Sequence, residues 1–237
     1  MFPREHFHGR SALTTPNRRR LKKRTMLLRL LPFVVSCIIY FVLLLPEPSL
    51  KSTVTKCLPT FSLAFFVATQ SKNGGNLKLY SRWIFIGLLF ACVGDACLVW
   101  PEFFLAGMGA FVICHLCYIA AFGLVPLRPL TFLVIQGLVA VGYVVILLPC
   151  LSGFYMWVVL FYCGLLGAMT WRALSCSKWM ASAGSLIFIV SDLLVAHDKF
   201  CTSHPLARVL YMSTYYLAQA LIALSVESPK KFSPKEN

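Results

Sequence analysis

The stretch 85-FIGLLFACVGDACLVW-100 is a run of apolar residues that carries a single carboxylate, Asp95. A second stretch, 184-GSLIFIVSDLLVA-196, repeats the arrangement with Asp192. An ionisable side chain inside an apolar helix is energetically expensive in a membrane, and such residues nearly always face the interior of a helix bundle and serve a function. The two acids therefore point to a membrane fold and to the site where its chemistry should be sought.

The composition supports a membrane protein. The chain has 237 residues, of which 59% are hydrophobic and 13% charged, whereas a soluble domain is about half apolar and about a quarter charged. Roughly 20 helical residues cross the bilayer core, and about eight apolar blocks approach this length: 29–45, 55–70, 82–99, 103–123, 129–148, 154–172, 179–197 and 207–226. We predict an all-α polytopic membrane protein with a disordered basic arm (1–26), one transmembrane helical domain (27–227) and a polar tail (228–237).

The basic residues are distributed unevenly along the chain. The net charge is +14, and nine of the 22 Lys and Arg residues lie at or before the start of the first span. With eight spans and a cytosolic arm, eighteen of these residues fall on the cytosolic side and four on the other, which are Lys51, Lys56, Lys199 and Arg208. This asymmetry follows the positive-inside rule, so we predict that both termini are cytosolic. The basic arm then sets topology and contacts anionic lipid, and we expect no nucleic-acid partner.

The two acidic spans also indicate an internal repeat. When Asp95 is aligned with Asp192, Gly87 falls on Gly184 and Tyr118 on Tyr215. The third and seventh spans run in the same direction, so the repeat would be of the parallel four-plus-four kind. Counted from the flanking basic residues, both acids lie about 20 Å from the cytosolic boundary. At equal depth on parallel helices, they could face each other across an interior cavity.

Small residues favour an inward position for both acids. Gly87 and Ala91 precede Asp95 at helical spacing, and Gly184 precedes Asp192 by eight residues, which lets neighbouring helices approach closely. If the two carboxyl groups meet, desolvation and like charge would leave one proton on the pair near neutral pH, giving one acid and one base. That combination suits acid–base hydrolysis, so Asp95 and Asp192 are the candidate catalytic residues.

Other polar residues within the spans are candidates for substrate binding. His115 and Tyr118 share one face of the fourth span, and Tyr215 and Gln219 share one face of the eighth. Lys56 opens the second span on the same side of the membrane as the acids. A cationic rim beside an apolar shaft is what a phospholipid headgroup would need, although a lysine that extends towards the interface, or an interhelical hydrogen bond, explains each residue nearly as well.

Metal and redox sites find little support. Most of the ten cysteines lie inside the proposed spans, where Cys acts as a small hydrophobic residue. Cys114 and Cys117 have the spacing of half a zinc or redox site, but they have no partner pair. Neither a nucleophile elbow nor a phosphate-binding loop occurs. We therefore expect no metal and no cofactor.

Several motifs together resemble the lysoplasmalogenase family of multi-pass membrane hydrolases, the vertebrate members most closely. They lie between about residues 30 and 227, in the order 56-KCLP-59, 94-GDACLVWP-101, His115 with Tyr118 and 121-AFG-123, 149-PCLSG-153, 171-WR-172, 191-SDLLVA-196 and 214-TYYLAQ-219. The resemblance implies hydrolysis of the vinyl-ether bond of lysoplasmalogens to a fatty aldehyde and glycerophosphoethanolamine or glycerophosphocholine. It also implies Asp95 and Asp192 as the essential acids, the endoplasmic-reticulum membrane as the location, and no metal.

Other functions remain open on the sequence alone. A small transporter or proton-coupled carrier would also use a parallel repeat with acids in the membrane. An intramembrane aspartyl protease is less consistent, because Cys92 stands where its motif needs glycine. A non-catalytic membrane scaffold is the remaining alternative. Headgroup preference, oligomeric state and the division of roles between the two acids are not determined by the sequence.

Overall fold

The computed structural model describes residues 15–70, 78–176 and 178–227, and their regular structure is helical throughout. Eight long helices follow one another: α1 Thr15–Leu43, α2 Leu50–Gln70, α3 Leu79–Leu98, α4 Phe104–Phe122, α5 Pro129–Gly142, α6 Phe154–Ser175, α7 Trp179–Phe200 and α8 Ala207–Leu224. A short 3₁₀ turn, Pro101–Phe103, precedes α4, and a π-helical segment, Tyr143–Leu147, continues α5 into the 3₁₀ turn Leu148–Cys150. The predicted all-α fold is confirmed.

The helix bounds follow the predicted spans, with two extensions. Helix α2 begins at Leu50, five residues before the predicted span, and α1 begins at Thr15, inside the basic arm. The first fourteen residues of the arm and the tail 228–237 lie outside the described residues, so their predicted disorder stays a prediction.

Six of the described helical segments are long and apolar enough to cross a membrane, and these are the segments containing α1 and α3 to α7. Helices α2 and α8 are more polar, yet α2 buries eight of its 21 residues and α8 nine of its 18. Several of their polar side chains are shielded inside the bundle, where Lys56, Thr60, Tyr215 and Gln219 are all buried. For these two helices, the crossing of the membrane remains a prediction.

The packing of the helices follows the predicted four-plus-four repeat. Consecutive helices pack as antiparallel neighbours in both halves, most extensively α3 with α4 and α7 with α8. The halves then meet through two equivalent pairs, α2 with α8 and α6 with α4. If α1–α4 is matched to α5–α8, each of these pairs joins the second helix of one half to the fourth helix of the other. The arrangement supports a parallel repeat.

Glycines allow the close approach of the helices that carry the acids. A Cβ atom at Gly87 of α3 would overlap the Tyr118 ring of α4, and one at Gly184 of α7 would lie 2.9 Å from the Ala218 carbonyl oxygen of α8. Both glycines are therefore required by interhelical contact rather than by backbone conformation. They fix the rotation of α3 and α7 and, with it, the inward direction of Asp95 and Asp192.

Candidate active site

A cavity of about 620 Å³ opens among the helices at the end of the bundle predicted to be non-cytosolic, and both acids line it. Its wall is mainly apolar and comes from α5 with its π-helical segment, from α6 and from α7. A volume of this size lies in the usual range for small-molecule sites. Much of the apolar wall comes from Leu138, Val139, Tyr143, Leu147, Leu166, Ile189 and Leu193.

Asp95 lies in the last turn of α3 and is only 2% exposed. Its Oδ2 atom accepts two hydrogen bonds, from Thr60 Oγ1 of α2 at 2.8 Å and from the Tyr215 hydroxyl of α8 at 2.9 Å. Among the described residues, no group donates to Oδ1. One carboxyl oxygen is thus anchored by the protein, and the other remains available to a molecule in the cavity.

Asp192 of α7 is held in the same manner. Its Oδ2 atom accepts a hydrogen bond of 2.8 Å from the Tyr162 hydroxyl of α6, and His115 Nε2 of α4 lies 3.7 Å from the same oxygen. The side chain is 17% exposed. Within the part of the chain that the structure describes, its Oδ1 atom also has no hydrogen-bond donor.

His115 is linked to Asp192 through Tyr162. When Asp192 is ionised, the one phenolic proton of Tyr162 goes to the carboxylate, so the 3.0 Å contact between the Tyr162 oxygen and His115 Nε2 needs the imidazole proton on Nε2. The other ring nitrogen, Nδ1, is buried without a partner in the described structure. His115, Tyr162 and Asp192 therefore form a short hydrogen-bonded chain that directs the phenolic proton to the carboxylate.

The two anchoring sets are related by the repeat. Asp95 is bonded by α2 of its own half and α8 of the other half, and Asp192 by α6 of its own half and α4 of the other half. These helices correspond when the halves are matched, although the side chains differ. A hydroxyl and a second polar group thus meet each acid from equivalent directions.

The two carboxyl groups do not hydrogen bond each other in the described structure, so the expected direct sharing of one proton is not what the structure has. Aromatic rings lie between their anchoring groups. Phe188 packs 5.0 Å from the His115 ring centroid and 5.7 Å from that of Tyr215, and Phe111 packs against Phe188 at 6.5 Å. Because each acid has its own donors, each can act separately at one shared cavity.

The predicted binding residues fall into two groups. Lys56 and Tyr215 line the cavity with the acids. His115, Tyr118 and Gln219 are completely buried behind its wall. The Tyr118 hydroxyl donates to Gln219 Oε1 at 2.6 Å, and Gln219 Nε2 donates to the Tyr215 hydroxyl at 3.3 Å. The structure therefore joins these residues to the acids through hydrogen bonds rather than through the cavity itself.

Charged residues surround the cavity near Lys56. Lys56 is 4% exposed, and its Nζ atom lies 3.4 Å from Glu47 Oε1. Arg208 Nη2 contacts the same Glu47 oxygen at 2.8 Å. Two cations thus share one acid at this side of the cavity.

Comparison with known proteins decides the family. The sequence profile of the YhhN family matches residues 51–226, most of the chain. The chain belongs to the YhhN family. The matched range spans every helix that contributes to the cavity described above.

Curated relatives of this YhhN protein are lysoplasmalogenases by name. Lysoplasmalogenase TMEM86A of Homo sapiens is 42% identical over 215 residues, which cover 84% of this chain and 89% of the human protein. Lysoplasmalogenase TMEM86B of Sus scrofa is 42% identical over 209 residues, covering 86% and 88% of the two chains. No solved structure gives a significant match. The predicted resemblance to the lysoplasmalogenase family is confirmed, and the protein is a membrane enzyme of this family.

Sequence reasoning missed several residues of the YhhN site. Thr60 lies one helical turn after Lys56, a spacing that places both on one face of α2, and Tyr162 is one of few polar residues in α6. Glu47 lies in the α1–α2 connection, where no sequence pattern indicates that it belongs to the site. The disulfide between Cys150 and Cys201, which ties the end of the π-helical segment to the end of α7, was also missed.

Proposed function

We propose that this protein hydrolyses the vinyl-ether bond of lysoplasmalogens in the membrane, with Asp95 and Asp192 as its catalytic acids. The observation that carries the proposal is that both carboxyl groups line one cavity, each with one oxygen anchored by the protein and one oxygen open to a ligand. Family membership and the names of the relatives support the substrate class.

The cavity suits a lipid with one chain. The apolar side chains of α5 to α7 form its long wall, where the alkenyl chain would lie, and Lys56 lies at its polar end. Lys56 makes one long contact with Glu47, so the ammonium group retains donors for a phosphate. The Tyr215 ring would contact the substrate next to Asp95, while its hydroxyl is engaged by the carboxylate.

The chemistry follows from the reactivity of vinyl ethers. A carboxyl group donates its proton to the β-carbon of the double bond, which gives an oxocarbenium ion. The other carboxylate stabilises this cation and takes a proton from the water that attacks the α-carbon, as paired acids do in glycoside hydrolysis. The hemiacetal hydroxyl then loses its proton while the bond between its carbon and the glycerol oxygen breaks. The glycerol oxygen takes up a proton, and the products are the fatty aldehyde and glycerophosphoethanolamine or glycerophosphocholine.

The surrounding polar residues act on the acids. Thr60 and Tyr215 hold Asp95, and Tyr162 holds Asp192, so that the open oxygens point to a fixed place. While Asp192 is ionised, His115 donates from Nε2 to the Tyr162 oxygen and so keeps the phenolic proton directed at Asp192. Tyr118 and Gln219 position Tyr215 and are positioning residues rather than catalytic ones.

We further propose that the protein resides in the endoplasmic-reticulum membrane with both termini in the cytosol. The charge asymmetry favours this orientation. The Cys150–Cys201 disulfide, at the opposite end of the bundle from the basic arm, is consistent with an oxidising lumen on that side. The cavity would then open towards the lumenal leaflet.

Purified protein in detergent micelles, supplied with lysoplasmalogen and no ion gradient, tests the proposed activity. Catalytic release of fatty aldehyde, measured with an aldehyde-reactive probe, is the expected result. Binding of the lipid without aldehyde release would instead favour the carrier that the sequence left open. A saturated ether lysophospholipid is the matched control, because it lacks the double bond that must be protonated.

A further inference from the structure

The rim of the cavity beyond Asp192 carries a second group of residues that the mechanism does not use. The last turn of α7 and the first turn of α4 meet there, and Phe104, Asp198, Lys199 and Phe200 all line the cavity. Asp198 follows Asp192 by six residues, which corresponds to about 9 Å along the helix axis. A substrate whose vinyl ether lies at Asp192 would extend its headgroup towards this rim.

One aromatic face at the rim already holds a cation. The Lys199 Nζ atom lies 4.9 Å from the centroid of the Phe104 ring, and the Phe200 ring packs edge-to-face on Phe104 at 5.7 Å. Cationic groups are attracted to the face of an aromatic ring at such distances. Because Lys199 is exposed, its ammonium group can move into solvent and be replaced by that of a ligand.

The two acids that line the cavity besides Asp95 and Asp192 differ in their partners. Glu47 is already neutralised by Lys56 at 3.4 Å and Arg208 at 2.8 Å. Asp198 accepts one hydrogen bond, from Ser203 Oγ to its Oδ1 atom at 2.8 Å, and in the described residues no cation pairs with it. Asp198 is therefore the acid that can pair with a cation brought by a ligand.

We propose that Phe104, Asp198 and Phe200 form the site that binds the ammonium group of the substrate headgroup, with the phosphate held by Lys56. This inference rests on the proposed hydrolysis of lysoplasmalogens. The ammonium group takes the position of Lys199 Nζ over the Phe104 ring and pairs with the Asp198 carboxylate. Ethanolamine and choline headgroups would both be accepted, the former mainly through Asp198 and the latter mainly through the rings.

Three substrates with the same alkenyl chain test the proposal on the full-length protein. They carry phosphoethanolamine, phosphocholine, or a phosphate without an ammonium group, and aldehyde release gives kcat and KM for each. Asp198→Asn should raise KM for both cationic headgroups roughly three- to thirtyfold, and Phe104→Leu should raise it most for choline. Neither variant should change KM for the phosphate substrate by more than about twofold, and kcat should be retained. Phe103→Leu is the control, since Phe103 is 54% exposed and does not line the cavity.

The outcome that overturns the proposal is an equal change of KM for all three substrates, or none for the cationic pair, in variants that elute as folded protein. Binding of non-hydrolysable saturated ether analogues, measured by calorimetry, separates this failure from that of the proposed function. Headgroup-selective loss of binding without any aldehyde release by the unmodified protein would support the ammonium site and refute the hydrolase. If the unmodified protein releases aldehyde but the variants affect all headgroups equally, the hydrolase would be supported and the ammonium site refuted.

Discussion

Removing the hydroxyl group of Tyr215 is the perturbation whose effect can be worked out most directly from the structure. In Tyr215→Phe, Asp95 Oδ2 loses the 2.9 Å hydrogen bond from α8 and keeps the 2.8 Å bond from Thr60. The ring itself stays packed between Phe111 and Phe188 at 5.9 and 5.7 Å, so the shape of the site should be unchanged. The variant thus removes one donor to Asp95, together with the acceptor of the 3.3 Å hydrogen bond from Gln219 Nε2.

The expected magnitude follows from the charge on the acceptor. A hydrogen bond to a charged group contributes about 1.5–3 kcal/mol, and each 1.36 kcal/mol or so corresponds to a factor of ten in rate. If the bond holds Asp95 in its reactive orientation, kcat/KM for aldehyde release should fall by roughly ten- to 150-fold. The loss should appear mainly in kcat, because the hydroxyl acts on the acid rather than on the lipid.

Tyr80→Phe is the matched control. It removes another hydroxyl that hydrogen bonds within the bundle, the one shared with Ser225 Oγ, near the opposite end of the structure. Both variants should lose some thermal stability, and only Tyr215→Phe should lose activity. A folded Tyr215→Phe protein with kcat/KM within twofold of the unmodified enzyme would refute the idea that this hydroxyl positions Asp95.

Two further predictions concern the fold. Gly87→Ala should lower the free energy of unfolding by about 1–3 kcal/mol, because the added methyl group would overlap the Tyr118 ring. Gly109→Ala is the control and should not lower it, because a Cβ atom there would have no neighbouring atom within 4 Å. Thermal unfolding in detergent compares the two variants, and equal melting temperatures would contradict the close α3–α4 approach. Labelling of the denatured protein with a maleimide mass tag should reveal two extra thiols only after reduction. These two thiols should be absent from the Cys150→Ser, Cys201→Ser double variant. Labelling of both cysteines without reduction would contradict the disulfide.

The helices could be predicted because their signal is local. Each apolar block approaches the length of a membrane span, and the spacing of Gly87, Ala91 and Asp95 places them on one helix face, where all three are indeed buried. The equal depth of the two acids also follows from counting along α3 and α7. Measured from the starts of those helices, Asp95 and Asp192 lie about 24 and 20 Å along the axis, within one turn of each other.

The contacts of the acids could not be predicted, because they depend on which helices pack together. Thr60 and Tyr215 are 155 residues apart, yet both meet Asp95. The bundle contains other Tyr and Thr residues at similar depths, and nothing in the spacing of α2 and α8 selects these two. The aromatic rings between the two anchoring sets could not be predicted for the same reason. In the sequence, Phe111 and Phe188 are ordinary apolar residues, and only helix packing brings them between these sets.

The pairing of Cys150 with Cys201 illustrates the same limit. The two residues end separate helical segments 51 positions apart. Their neighbourhood arises because the π-helical segment after α5 packs against α7. Local patterns therefore revealed the acids and the spans, and tertiary packing determined what surrounds them.

The most direct measurement is vinyl-ether hydrolysis by the purified Asp95→Asn and Asp192→Asn variants, with folding followed by size-exclusion chromatography and thermal unfolding. A general acid or base contributes roughly 10²–10⁴-fold to a rate, so each variant should lose at least about a hundredfold in kcat while it still binds a saturated ether analogue. Well-folded variants that release aldehyde at the unmodified rate would contradict the role of both carboxyl groups in catalysis.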